Sequence, residues 1–300
     1  AELTEKFSSP AALLWRSRVV ELSPKSAPDR LAMAQTAMIY RDYLSATNAL
    51  DGVSKAGRNT PEYHNLAGSV AAALHSLAEA EGHYSEAARL EPTNPIPRLN
   101  LAVVRLQGTN AQDLALARTA LKQLRADPVV RCQALRELVA DSLRGDQAED
   151  ALAFSKDLLQ QTNALFSDRL LRLDVLRATR SGDSDAAMAS AQKEAATEPR
   201  KLVEFVTWEG PRAGAAAALA WLQSLPAETQ TNQPAALLAA QCQAALQQWR
   251  PLEVSLERQQ WGELDFVRQA FKSLALRGQE LTSSSNIAWK KAFNATGGRK

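Results

Sequence analysis

Residues 63–95 read YHNLAGSVAAALHSLAEAEGHYSEAARLEPTNP, and this stretch decides the fold. It is rich in alanine, as is the whole chain, in which 55 of 300 residues are alanine. Alanine is the best helix former and is depleted in strands. Pro92 stands near the end of the stretch, where it stops a helix because proline cannot continue the hydrogen-bond ladder. The stretch therefore predicts helices and an all-α protein.

The same pattern recurs along the chain with a period of about 34 residues. Pro24 and Pro92 stand two periods apart, and cutting the chain at one period gives units that start at Ala27, Pro61 and Pro95. Small or aromatic residues keep their register across the units. In the unit from Pro61 they are His64, Ala67, Gly68, Ala71, Ala80, Tyr84, Ala87 and Pro92. Small residues at fixed sites let paired helices approach closely, so each unit is predicted to be a helical hairpin.

These residues resemble the tetratricopeptide repeat (TPR) family, whose repeat has the same length. The unit from Pro61 carries the resemblance at Gly68, Ala80, Tyr84, Ala87 and Pro92, and it departs from the family pattern where Ala67 and Ala71 replace larger residues. The resemblance covers residues 11–200. It implies a right-handed α-solenoid of about eight to nine antiparallel helical hairpins. It also implies a bacterial multi-repeat protein.

Turn signals extend the array beyond the best unit. The unit that follows, residues 96–128, needs about two extra residues in its inner turn. Gly145-Asp146 and Gly182-Asp183 mark two further inner turns, about one period apart. Residues 1–200 are therefore predicted to form a TPR array. Its first repeat is incomplete, because residues 11–22 correspond to a second helix without most of a first one, and we expect the chain to be part of a longer protein.

Residues 201–300 are predicted to form divergent, tryptophan-rich, TPR-like hairpins, since five of the six tryptophans lie there. Whether these hairpins continue the superhelix or fold back on it stays open. A linker is expected at 225–234, a loop at 282–286 and a frayed end at 294–300. Helices are expected at about 200–209, 213–224, 234–247, 251–259, 262–278 and 287–294.

Composition bears on the partner and on the compartment. The 35 Lys and Arg residues nearly balance the 33 Asp and Glu residues, and this net charge of +2 does not favour nucleic acid as a partner. The two cysteines cannot form a disulfide framework. No apolar run reaches the length of a membrane span. A soluble domain is expected, either cytoplasmic or attached to the cell envelope through a segment outside this chain.

Motifs for catalysis or cofactor binding are not found. The sequence contains no GxSxG elbow and no glycine-rich phosphate loop. Of the three histidines, His64 and His75 would lie on one helix face, separated by roughly 16 Å of helix rise, which is too far to share a metal ion. We expect neither an enzyme nor a metal or cofactor site.

A basic stripe is the sharpest cue to a binding site. Arg169, Arg172, Arg177 and Arg180 fall on one arc of a predicted helix. By resemblance to the family, Arg169, Arg172 and Arg180 take positions that line the concave groove. Guanidinium groups there would suit a carboxylate or phosphate of an extended partner. The alternative interpretation is a solvated charged face.

The groove of the earlier units is expected to be more apolar. Its polar candidates are Asn65 and Asn100, of which only Asn100 matches the family's two-carboxylate clamp for C-terminal peptides. Leu99 and Val103 are the apolar candidates for partner contact, and an amphipathic helix or an extended apolar peptide would fit such a surface. Further apolar residues near groove positions are Leu31, Met38, Ile96 and Leu106.

Taken together, the residues and the resemblance predict a non-catalytic protein–protein interaction scaffold that binds a peptide or partner protein in its concave groove. Two alternatives stay open. The hairpins could form a structural, assembly or spacer module of a larger envelope-associated protein, in which case self-association is expected. They could also form the recruiting arm of a catalytic domain outside this chain.

Overall fold

The computed structural model describes residues 11–296, and this part of the chain is all-α. It contains 18 α-helices and one short 3₁₀-helix, at Gly262–Leu264, and no strand. The predicted fold class is confirmed at this level. The chain divides into two compact units, one ending at Ala164 and one beginning at Leu165.

The helices of the first unit are α1 (Ala11–Leu22), α2 (Ala27–Ile39), α3 (Tyr43–Asp51), α4 (Lys55–Arg58), α5 (Pro61–Ala73), α6 (Leu77–Leu90), α7 (Pro95–Arg105), α8 (Ala111–Leu124), α9 (Arg131–Arg144) and α10 (Ala148–Leu159). Those of the second unit are α11 (Phe166–Ala178), α12 (Ser184–Ala195), α13 (Pro199–Ser224), α14 (Ala227–Thr231), α15 (Ala235–Ala245), α16 (Trp249–Glu257), α17 (Asp265–Gly278) and α18 (Thr282–Ala295).

Within each unit, consecutive helices pack as hairpins. The first unit contains α2/α3, α5/α6, α7/α8 and α9/α10, and the second contains α11/α12, α15/α16 and α17/α18. Helix α13 supplies a further hairpin, because Gly214 has a non-helical conformation that splits it, and Phe205 and Trp221 from its two halves stack with ring centroids 4.6 Å apart. Within a unit, the first helix of a hairpin also contacts the preceding hairpin, as α7 contacts α6 and α17 contacts α16.

Local capping explains why three hairpins begin at the predicted residues. Helices α2, α5 and α7 start at Ala27, Pro61 and Pro95, with a proline in the first turn of each. Proline is well accommodated there, since its missing N–H would be unpaired in any case. The residue before each helix caps it through a side-chain oxygen. The Thr60 hydroxyl, for example, accepts a hydrogen bond from the Tyr63 N–H at 3.3 Å.

Most inner turns of the hairpins share one backbone feature, a left-handed residue, although the longer turn of α7/α8 lacks it. In five three-residue turns the central residue has a positive φ, although none of these residues is glycine. They are Arg41, His75, Asp146, Gln247 and Glu280. The next N–H then bonds back to the carbonyl five residues earlier, as from Ser76 to Ala71 at 2.8 Å. This is the Schellman arrangement, which satisfies the last carbonyl groups of the first helix.

Spacing of the left-handed residues shows that the hairpin length persists to the end of the chain. Asp146, Arg180 and Gly214 follow one another at the full repeat length. Gln247 and Glu280 continue the series, each only one position short of that length. The period read from the first half of the sequence is therefore also the period of the second half.

The predicted insertion in the third hairpin, α7/α8, is also present. Its inner turn spans residues 106–110, two more than the 74–76 turn of the hairpin before it.

Several expectations for the last hundred residues are wrong. The serine-rich run at 282–286 is not a loop but the start of α18, because the Ser285 hydroxyl is buried and donates to the Ser273 carbonyl at 2.9 Å. The linker at 225–234 contains α14, and the break near residue 210 lies instead at Gly214. Of the frayed end at 294–300, residues 297–300 lie outside the described part.

Across 11–296 no helix has both the length and the apolar character to cross a membrane.

Candidate functional site

A cleft lies between the first helices of two successive hairpins, α2 and α5. Its volume is about 400 Å³. Leu31 and Leu66 give it apolar walls, and Glu62 and Asn65 bring polar groups to its edge. The complete lining consists of Pro28, Leu31, Ala32, Gln35, Glu62, Asn65 and Leu66. Two of the predicted groove residues, Leu31 and Asn65, therefore line one cleft.

The two predicted asparagines contact each other across neighbouring hairpins. The Asn100 Nδ2 of α7 donates to the Asn65 Oδ1 of α5 at 3.0 Å, and both side chains are half-buried. This bond uses one of the two amide hydrogens of Asn100 and part of the acceptor capacity of Asn65. The pair can therefore still present amide hydrogens from Asn65 and a carbonyl oxygen from Asn100. A peptide backbone needs both types of partner.

The apolar candidates on α7 have different exposures. Val103 is half-buried, but Leu99 is only 6 % exposed. Ala102 and Leu106 lie at helical intervals from Leu99 and are also buried, so the three residues share the inward face of the helix. Most of the Leu99 surface is thus used inside the protein, and its contact with a partner stays a prediction.

The predicted arginine stripe is interrupted in the structure. Helix α11 ends at Ala178, so Arg180 is not on it but in the following turn, with φ 51°. The prediction treats residues 167–180 as one helix. In fact Thr179 caps the helix, and a left-handed residue is needed to start the turn.

The remaining arginines of the stripe are engaged by other groups. Arg169 pairs with Glu194 of α12 at 2.9 Å. Arg177 lies over the ring of Trp208 at 4.8 Å and pairs with Glu209 at 3.4 Å. These contacts favour a packing role for α11.

Arg172 lies on the same helix and is half-buried. Its burial lowers its pKa, while the nearby charge of Asp183 acts in the opposite direction. Arg180, in the turn after the helix, is exposed. The predicted groove roles of Arg169, Arg172 and Arg180 stay predictions.

The structure brings together two histidines whose contact the sequence did not predict. His64 of α5 and His83 of α6 share a hydrogen bond between their Nδ1 atoms at 3.0 Å, and the edge of the Tyr63 ring packs against the His64 ring. Burial lowers the pKa of His64, the neighbouring His83 lowers it further, and Glu86 opposes the change. The two histidines lie on different helices, and the register of the hairpin was the one signal that could have joined them.

Metal and thiol chemistry find little support among residues 11–296. No three His, Cys, Asp or Glu side chains in this range are grouped so that they could hold a metal ion. Both cysteines are buried and unbridged. The Cys132 thiol donates to the Asn163 Oδ1 at 2.9 Å, and burial raises the pKa of Cys242. A raised pKa keeps a thiol protonated and unreactive.

Comparison with known proteins adds no relative. No protein-family model matches the sequence, and no curated protein matches it. The basis for a functional assignment is therefore the repeated hairpin geometry and the cleft beside Asn65.

Proposed function

We propose that the chain is a right-handed α-solenoid of TPR-like hairpins that acts as a non-catalytic protein–protein interaction scaffold. Two observations support the solenoid. Contacts run between helices that are close in sequence, and the left-handed inner-turn residues recur at close to one repeat length over much of the chain. Stacked repeats of this kind bury a continuous core and leave an extended surface for partners.

The observation that carries the proposed function is the Asn65–Asn100 pair next to the α2–α5 cleft. An extended peptide needs hydrogen-bond partners for its backbone N–H and C=O groups, and the two amides supply both. Beside them, Leu31 and Leu66 offer an apolar surface for a side chain of the ligand. The proposed ligand is an extended, largely apolar peptide segment of another protein.

The proposed scaffold carries out no reaction of its own. Its partners are proteins or peptides and not nucleic acids, since the formal net charge is only +2. The arginines of α11 take a secondary place in the proposal, because Arg169 is already paired with Glu194.

Peptide selection tests this function directly. Phage displaying random dodecamer peptides would be selected on the intact chain, and the affinity of each enriched peptide would be measured by fluorescence anisotropy. The Asn65→Ala/Asn100→Ala variant should bind about 5- to 150-fold more weakly, since it loses two backbone hydrogen bonds of about 0.5–1.5 kcal/mol each. The matched control, Gln112→Ala, alters an exposed residue of α8 and should bind as the wild type does.

Two outcomes would overturn the proposal. One is unchanged affinity in the double asparagine variant. The other is affinity lost in the Arg169→Glu/Arg172→Glu/Arg180→Glu variant but kept in the asparagine variant, which would move the binding site to the second unit. Light scattering on the same samples addresses the assembly-module alternative, because that alternative requires oligomers of the wild-type chain.

A further inference from the structure

One position is buried in hairpin after hairpin, namely the eighth residue of the second helix. We call it the anchor position. Counting from the first residue of each helix, and from Ala215 in the second half of α13, this position holds the half-buried Arg118 in α8, which pairs with Asp141 of the covering helix α9 at 2.7 Å. It is at most 5 % exposed in six further hairpins. Its occupants are Leu50 (5 %), Tyr84 (4 %), Ser155 (0 %), Ala191 (2 %), Leu222 (2 %) and Leu256 (0 %).

The anchor position is buried between the first helix of its own hairpin and the hairpin that follows. Tyr84 of α6 belongs to a core cluster with Val104 of α7. Leu256 of α16 belongs to a cluster with Ala275 of α17. In both cases the covering residue comes from the first helix of the following hairpin. The anchor position therefore marks the face on which hairpins stack.

In α18 the anchor position is Trp289, and it is 55 % exposed. Phe293, one turn further on, is 47 % exposed. The residues that α18 buries are small, namely Ser285, Ala288 and Ala292. The side of α18 that carries Trp289, Lys290 and Phe293 is called the terminal face below. It has the position of a stacking surface but exposes two large aromatic side chains, which is unusual for a solvated helix.

Charge at this face differs from that at the stacking surface of α16 and resembles that of α8, where Arg118 meets Asp141 of the covering helix. Glu257 follows the anchor residue of α16 and pairs with Lys272 of the covering helix α17 at 3.0 Å. Glu81 of α6, three residues before the anchor residue Tyr84, pairs with Arg105 of α7 at 2.7 Å. In α18 the residue after the anchor is Lys290. A helix that covers the terminal face in the same register must therefore bring a carboxylate where α17 has Lys272.

We propose that the terminal face binds an amphipathic α-helix of a partner protein, with an apolar stripe on Trp289 and Phe293 and an acidic residue paired with Lys290. Burial of the two aromatic rings supplies most of the contact area. The charge selects the partner, because like charges at such a contact are disfavoured. A second copy of α17 is a poor occupant in this register, since its Lys272 would face Lys290.

The chain itself provides a probe for this site. A fluorescein-labelled peptide of residues 265–278, DFVRQAFKSLALRG, is the segment that covers the anchor position of α16. The same peptide with Lys272→Glu should bind the intact chain more tightly at low salt, by up to about fivefold, the upper end of what one exposed ion pair supplies. The Lys290→Glu protein should reverse this preference. Trp289→Ala and Phe293→Ala should each weaken the binding of both peptides, with unchanged circular dichroism.

Lys291→Glu is the matched control. Lys291 is the neighbouring lysine, but it lines a separate cleft of about 410 Å³ together with Lys272 and Leu276. Reversal of the charge at residue 291 should leave the preference between the two peptides as it is in the wild-type protein.

Three results would overturn the proposal: unchanged binding in Trp289→Ala, a preference that Lys290→Glu does not alter, or a wild-type dimer that Trp289→Ala dissociates, which would make a second copy the occupant. The Asn65→Ala/Asn100→Ala protein should bind the helix peptides normally, so this site and the proposed peptide cleft can fail independently.

Discussion

Gly68 of α5 lies directly beneath the ring of Tyr84 of α6. A Cβ atom at residue 68 would come within 2.8 Å of the Cδ1 and Cε1 atoms of that ring. The tyrosine is 4 % exposed, and its hydroxyl donates to the Ser69 Oγ at 3.1 Å. Burial and this hydrogen bond together hold the ring in place. The hairpin thus closes by pairing the smallest residue on one helix with a large residue on the other.

Replacement of this glycine should destabilise the protein. Gly68→Ala introduces a methyl group into a packed contact, and overpacking costs typically about 1–3 kcal/mol. This cost outweighs the gain of about 0.5–1 kcal/mol that alanine brings to a helix interior. Urea denaturation would measure the difference.

Gly82→Ala is the control, since nothing lies within 4 Å of a Cβ at Gly82 and the same helix gain should appear there unopposed. Equal stability changes in the two variants would contradict the packing argument.

This contact also shows what the sequence could predict. Gly68 and Tyr84 stand at repeat positions that recur along the first two hundred residues, so the hairpins and their starts at Ala27, Pro61 and Pro95 could be located from spacing alone. In the last hundred residues the inner turns are made by Gln247 and Glu280, which carry no turn signature. The repeat persists there in the backbone after it has faded from the sequence.

The candidate site was less predictable, because its contacts join different helices. Asn65 and Asn100 can be found from their register, and the structure joins them with a hydrogen bond. Helical periodicity places Arg169 correctly on α11, but its neutralising partner Glu194 lies on the next helix. A helical wheel describes one helix at a time, so it could not show this ion pair.

Left-handed residues in the inner turns offer a second prediction. Glu280 is exposed and has φ 63°. Residues that carry a Cβ adopt this backbone conformation at a cost in free energy, whereas glycine adopts it freely. Glu280→Gly should raise the free energy of unfolding by about 0.5–1 kcal/mol, allowing for the greater flexibility of glycine in the unfolded chain. Thermal and urea denaturation would both detect it. Glu280→Ala keeps the Cβ and should give no gain; a gain from alanine equal to that from glycine would refute the explanation.

The histidine pair predicts a pH dependence of stability. The pKa of His64 is lowered in the folded state, so the unfolded state binds a proton more readily. The folded form therefore keeps its full stability above about pH 6.5, the ordinary pKa of histidine, and loses part of it as the pH falls below that value. Melting temperatures between pH 7.5 and 5.5 should fall less in His64→Asn than in the wild type. His75→Asn, at an exposed left-handed turn position that suits asparagine, should follow the wild type. A wild-type slope in His64→Asn would contradict the assignment.

The anchor position predicts very different losses of stability when two large side chains at equivalent places are truncated. Leu256 is fully buried between α16 and the helix that covers it, so Leu256→Ala should lower the free energy of unfolding by about 2–5 kcal/mol. Trp289 is 55 % exposed, and Trp289→Ala should change it by no more than about 0.5 kcal/mol, although it removes the larger side chain. Urea denaturation of both variants at equal protein concentration would make the comparison. A large loss in Trp289→Ala that grows with protein concentration would mean that the terminal face is already covered by a second copy. A small loss that does not depend on concentration is the result expected if Trp289 is uncovered in the isolated chain, as the proposed helix-binding face requires.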